Sequence, residues 1–285
     1  MKNTRILLAA FILHATLPAL AEGGETLARI KSAKAINVAY AADSLPFAYT
    51  ETNGEPMGYT IDLCKRVIAQ VGRTVGVPNL KVNWIPATTP QRLELIASGK
   101  ADLECGNTTQ TMARLSKVDF SGLIFLESGG FLGRAGDKVT TLTDMDGKKI
   151  AVLKGTTTET RLREALKKRL VNAQVVTIDK AEDGISRLEA NEVDVYAGDK
   201  IKLIGLATLS KDPAKFALLS EDISYEPYAL ALPRNDSAYR AEVNRALTQV
   251  YMSGEIEKIY GAWLGSLGRP SPLLGAMYLL NAIPD

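Results

Sequence analysis

Short apolar runs alternate along this chain with longer stretches in which apolar residues recur every three or four positions. Residues 36–40, 80–85 and 101–105 read as strands. Between them, 59–71 carries Ile61, Val67, Ile68 and Val71 at helical spacing, and 92–98 is a short helix that Gly99 ends. Residues 46–49 read as a loop and 52–55 as a turn. The same grammar restarts after the turn at 143–147. Strands are expected over 149–153, 174–178 and 193–197, and helices over 159–170 and 181–190. The loop Gly155-Thr156-Thr157-Thr158 opens the first of these helices. Two further helices close the pattern at 239–252 and 256–263. Strands alternating with helices indicate the α/β class. Two such units without a long linker predict two α/β lobes joined by extended crossings, at 129–133 and 225–232. A cleft between two lobes is a standard place for a small ligand, and hinge closure is a standard motion for such a pair.

The chain's beginning reads as an export signal. Lys2 and Arg5 precede an apolar run at 6–13, then Pro18 and the small-x-small sequence Ala19-Leu20-Ala21. A signal peptide over 1–21 is expected to be cleaved, releasing a periplasmic protein; an uncleaved anchor is the other reading. No cysteine follows the small residues, so a lipid anchor is not expected, and no later stretch approaches the roughly 20 apolar residues of a membrane helix.

That cleavage changes the charge and the chemistry. The 285 residues hold 34 Lys and Arg against 32 Asp and Glu, and the excess matches the two basic residues of the signal. A mature chain near neutrality argues against nucleic acid or an anionic membrane as partner. The single histidine, His14, leaves as well. A Ser-His-Asp triad, a Cys-His pair and His-ligated zinc are thereby excluded. Cys64 and Cys105 are the two cysteines. In an oxidising compartment they read as a disulfide closing a loop of about 40 residues, worth roughly 3–4 kcal/mol, or alternatively as two small buried hydrophobes.

Several motifs occur in a telling order. They are Ser44-Leu45-Pro46-Phe47, Gly58-Tyr59 with Asp62-Leu63, Arg92-Leu93, Gly99-Lys100-Ala101-Asp102, Thr108-Thr109 followed by Arg114, and Asp119-Phe120-Ser121. Asp146-Gly147-Lys148, Val152 to Gly155-Thr156-Thr157, Leu188-Glu189, Val193-Asp194 and Asp199 continue the series. Over 27–264 the chain resembles the polar-amino-acid solute-binding proteins, family 3. The cysteine pair and Glu104-Cys105-Gly106 most resemble the glutamate/aspartate-binding branch. The resemblance implies a type II periplasmic-binding-protein fold with a two-crossover hinge, an ABC permease as partner, no cofactor and a monomer. It also implies lobe 1 over 22–130 and 228–268, lobe 2 over 131–227, and a tail at 269–285 to which it gives no role. That tail holds enough leucines for a short helix packed on a lobe.

The resemblance places Arg114, Thr109, Asn107 and Asp199 around the ligand's α-carboxylate and ammonium, Arg92 and Thr89 near its side chain, and Phe47 beside that side chain. Elementary chemistry agrees for several of them. An arginine fork donates two parallel hydrogen bonds to a carboxylate. Thr156 and Thr157 stand where a helix N-terminus favours negative charge, and an acid such as Asp199 suits an ammonium. Two cations of the glutamate/aspartate branch are missing, at Ala41 and near Ala181, so a polar or acidic ligand is expected, glutamate or aspartate first. The rival from another class is a periplasmic cyclohexadienyl (prephenate or arogenate) dehydratase, with Glu182, Asp183 or Lys154 as general acid. A sensory module serving a membrane receptor is a third reading.

Overall fold

The computed structural model describes residues 24–284; the signal-peptide reading of 1–21 and His14 lie outside them. Helix α1 (Glu25–Ala33) leads into β1 (Ala35–Ala41), followed by the short strands β2 (Asp43–Ser44), β3 (Ala48–Thr50) and β4 (Pro56–Met57). Then come α2 (Tyr59–Thr74), β5 (Lys81–Ala87), α3 (Thr89–Ala97), β6 (Leu103–Cys105) and the single turn α4 (Met112–Leu115). The long strand β7 (Asp119–Arg134) precedes β8 (Lys149–Leu153), α5 (Thr157–Arg169), β9 (Gln174–Ile178) and α6 (Ala181–Glu189). The chain continues through β10 (Val195–Asp199), α7 (Lys200–Ala207), β11 (Phe216–Leu218), β12 (Ser224–Leu232), α8 (Ser237–Met252), α9 (Glu255–Leu264) and α10 (Pro272–Asn281).

Among the described residues one mixed sheet runs in the order β5-β1-β6-β12-β7-β10-β8-β9, with β11 also on β7, while β2-β3-β4 form a small antiparallel sheet. The outer strands pair in parallel, as βαβ units require. The middle is antiparallel. There β7 runs beside β12, from Asp119 opposite Leu232 to Gly129 opposite Ser224, and its far end pairs with β10 and β11.

Strand alternation sorts side chains into separate cores. Val38 and Tyr40 of β1 face the cluster built by α2, α8, α9 and α10, whereas Ala39 faces Ile96 and Phe120 on the other side. In the second half Tyr196 joins Ile185, Leu188 and Leu203, while Val195 and Ala197 join Ile150, Leu162 and Phe131. Each fully buried Leu, Ile or Val contributes about 1.5–3 kcal/mol. The Cys64–Cys105 disulfide forms, with Cα atoms 6.3 Å apart, and ties α2 to the end of β6. In the tail, α10 packs through Leu274, Met277 and Tyr278, and the Tyr278 and Tyr59 hydroxyls meet at 2.9 Å.

Residues 48 and 49, expected to be loop, lie in β3. Strands of two and three residues are too short to leave a period-two signal. Residues 129–133, the expected crossing, lie near the end of β7, a 16-residue strand. Gly122, Gly129, Gly130 and Gly133 interrupt its apolar pattern, so pairing with β12, β10 and β11 rather than propensity makes it extended. Helix α7 left no amphipathic stripe in the sequence because opposite sides of it meet different cores: Leu203, Leu206 and Ala207 lie in one cluster and Ile201 packs against another.

Candidate functional site

A narrow cavity lies where α3, the stretch between β6 and α4, the N-terminus of α5, the end of β10 and α7 converge. Arg92, Thr89, Asn107, Thr109, Arg114, Thr156, Thr157 and Asp199 all line it. Phe47 does not. It is fully buried, with its ring edge-on to Tyr59, Phe125 and Tyr228 at centroid separations of 6.1, 5.0 and 5.3 Å. The expected place beside a ligand side chain is thus not the one Phe47 occupies. An apolar ring with aromatic neighbours on every side gains more from the core.

Local folding explains how each side chain arrives. A capping box starts α3: the Thr88 side chain accepts a backbone N–H, and Thr88 N–H donates to Gln91 Oε1 at 3.1 Å. Thr89 and Arg92, three apart, then share a helix face, and Arg92 Nη2 reaches Thr89 Oγ1 at 3.4 Å. Arg92 Nη1 pairs with Glu104 Oε1 at 3.1 Å, both side chains being buried. A Cβ at Gly106 would collide with both ends of that pair, so the absence of a side chain there makes room for it. Burial pushes the Glu104 carboxyl up, while Arg92 beside it acts in the opposite direction.

Thr156 caps α5 by accepting the Glu159 N–H at 3.1 Å, and its own hydroxyl donates to Leu153 O at 2.7 Å. Gly155, at φ +75°, holds the left-handed turn before it. The N-terminus of α5 therefore faces the cavity with its positive dipole end. Opposite, Arg114 is fixed by Nη1 donating to Thr109 O at 2.7 Å. Burial and the neighbouring Arg92 push the Arg114 guanidinium below its ordinary value, against the pull of Glu226, Glu104 and Asp199; it stays charged.

Asp199 ends β10. Its Oδ2 accepts Asn107 Nδ2 at 3.0 Å and the Tyr228 hydroxyl at 2.6 Å, and its Oδ1 accepts Thr158 Oγ1 at 3.1 Å. Phe47, packed on Tyr228, thus supports Asp199 from behind. Guanidinium and carboxylate share one crevice, with hydroxyls and a helix N-terminus between them. That set complements a small molecule carrying both a carboxylate and an ammonium.

Sequence reasoning missed two charged groups here. Glu226 of β12 is fully buried and accepts hydroxyls from Thr109, from Thr157 at 2.7 Å and from Ser224 at 2.6 Å. Burial and Asp199 push its carboxyl up, against those hydroxyls. Lys202 of α7 also lines the cavity and donates to Ser44 Oγ at 3.1 Å. The available signal was one charge inside an otherwise apolar segment in each case, Glu226 within β12 and Lys202 within Ile201-Lys202-Leu203-Ile204.

Residues 36–266 match the model of the bacterial extracellular solute-binding proteins, family 3. The L-glutamate/L-aspartate-binding protein of Pseudomonas aeruginosa is 30% identical over 92% of this chain and 88% of its own. The glutamate/aspartate import solute-binding protein of Salmonella typhimurium is 28% identical over 90% and 84%. Among solved structures, an ancestral arginine-binding protein bound to arginine superposes with a TM-score of 0.73 at 27% identity, over 81% of this chain and 99% of that one. A cysteine-binding protein from Campylobacter jejuni shares the fold at a TM-score of 0.74 and 23% identity, over 85% and 93%. The architecture is that of the type II periplasmic amino-acid-binding proteins. This chain belongs to the bacterial extracellular solute-binding proteins of family 3.

Proposed function

We propose that this protein is the extracytoplasmic substrate-binding component of an amino-acid ABC transporter. It holds one free polar or acidic L-amino acid, glutamate or aspartate first, and delivers it to a permease in the inner membrane. The observation that carries the reading is the convergence of Arg114 and Asp199 on one cavity from distant parts of the chain. Arg114 takes the α-carboxylate with the N–H groups at the start of α5, and Asp199 takes the ammonium. Lobe 1 comprises 22–130 and 228–268 and lobe 2 comprises 131–227. Strands β7 and β12 serve as the paired crossings about which the lobes close. Cleavage after residue 21 delivers a monomer to the periplasm, a compartment in which the Cys64–Cys105 bridge persists.

The relatives named above are binding proteins, and this reading has the chain release its ligand unchanged. Titration calorimetry of the mature protein against the twenty amino acids tests it. The expected result is saturable one-site binding of a polar or acidic amino acid, with prephenate and arogenate left intact. Failure to bind any of the twenty, or turnover of either cyclohexadienyl acid, contradicts it.

A further inference from the structure

Four charged side chains line the cavity, and they do not balance: Arg92, Arg114 and Lys202 face the single carboxylate of Asp199. If a zwitterion engages Arg114 and Asp199, as the proposed function holds, Arg92 and Lys202 remain for the side chain. They differ in how they are already matched. Arg92 is paired at 3.1 Å with Glu104, a carboxylate of zero exposure. Its charge is neutralised within the protein, and what it offers a ligand is hydrogen-bond donors, equally usable by a carboxylate or an amide oxygen. Lys202 is matched far less well. Its side chain is 9% exposed, yet its nearest anion, Asp43, stands 3.9 Å away and is itself 37% exposed. A lysine ammonium carries three donors, and the hydrogen bond to Ser44 Oγ uses one.

A buried cation with so loose a partner is costly unless something else meets it. Burial lowers the Lys202 ammonium and Arg92 adds to that effect, while Asp43 and Asp199 oppose it. The two cations thus sense each other across the cavity. A neutral ligand side chain leaves that repulsion in place and a basic one adds to it, whereas an anionic one relieves it. Leu203 and Leu206 line the same part of the cavity and lower the local dielectric, which strengthens the discrimination.

We propose that Lys202 is the specificity-determining residue of this site: its ammonium binds the distal carboxylate of a dicarboxylic amino acid and separates the acid from its amide. The inference rests on the amino-acid-binding reading and names the ligand class within it. Calorimetric titration of L-glutamate and L-glutamine, and of L-aspartate and L-asparagine, into wild type, Lys202→Met and Lys202→Arg tests it, with thermal melts confirming that each variant is folded. Wild type should prefer an acid over its amide. Lys202→Met should reduce that ratio by about tenfold or more, the scale of one desolvated charge pair, and Lys202→Arg should restore most of it. An unchanged ratio in Lys202→Met, including equal losses for acid and amide, would overturn the assignment while leaving amino-acid binding intact. Wild type that prefers the amide would overturn it too, and wild type that binds no amino acid would sink both readings.

Discussion

Asn107 donates its side-chain amide to Asp199 at 3.0 Å across 92 residues of sequence, and the oxygen of the same amide accepts from Arg92 Nη1 at 3.4 Å. One neutral side chain thereby connects the acid proposed for the ligand's ammonium to the arginine proposed for its distal end. It also satisfies one lone pair of Asp199 before any ligand arrives, so the carboxylate is held in a fixed orientation.

Replacing Asn107 by Ala removes both links. Amino-acid affinity is expected to fall about tenfold, the worth of one hydrogen bond to a charged group. Titration calorimetry measures it, and an affinity within twofold of wild type would show that Asn107 orients nothing.

The buried Arg92–Glu104 pair makes a different demand. Arg92→Met leaves Glu104 as an unpaired buried charge, and a loss of roughly 3–5 kcal/mol of stability is expected. The double variant Arg92→Met/Glu104→Leu should recover a substantial part of that loss. Urea unfolding of the three proteins decides the matter, and equal stability of the single and double variants would contradict the pairing.

Removing the Cys64–Cys105 bridge by a double change to Ala should lower stability by roughly 3–4 kcal/mol through the unfolded chain's regained freedom. Urea unfolding would show it as a lower midpoint. Because β6 runs directly into Asn107 and Thr109, ligand affinity should fall as well.

A pH dependence follows from Glu127 on β7. Burial, with Asp199 nearby, pushes its carboxyl up to about 8, against N–H groups of Ser128 and Ile201 and the charge of Lys200. Burial raises Glu226, which sits directly opposite on β12, in the same direction. A folded-state value above the unfolded one means that the folded protein holds the extra proton. The stabilising contribution is therefore complete below the ordinary value of 4.5 and disappears as pH rises towards about 8. Over that window Glu127 alone gives a slope of up to about 1.4 kcal/mol per pH unit. Glu127→Gln should flatten the profile of stability against pH; an unchanged slope would count against a proton on this carboxyl.

Much of the architecture was legible from local pattern. The strands at 149–153 and 174–178 and the helix ends near Met252 and Leu264 follow from periodicity and turn residues alone. Eight of the nine ligand residues named from the sequence line one cavity. The ninth, Phe47, shows the limit: an aromatic beside a proline carries no mark of which way its ring turns, and tertiary packing put it into the core. Lys202 and Glu226 were hidden for the opposite reason. Each is a polar exception in an apolar run, and only the approach of distant elements, Ser44 to one and Thr109 with Thr157 to the other, gives the charge something to do.

The central claim is that Arg114 and Asp199 jointly hold a free amino acid. Its most direct test is a calorimetric titration of L-glutamate into wild type and Arg114→Ala under the same conditions. Saturable one-site binding to wild type, with at least about a hundredfold loss in a variant that melts like wild type, is the predicted outcome for removing a bidentate charged anchor. Binding to Arg114→Ala within a few-fold of wild type would contradict it, since the α-carboxylate would then be held elsewhere.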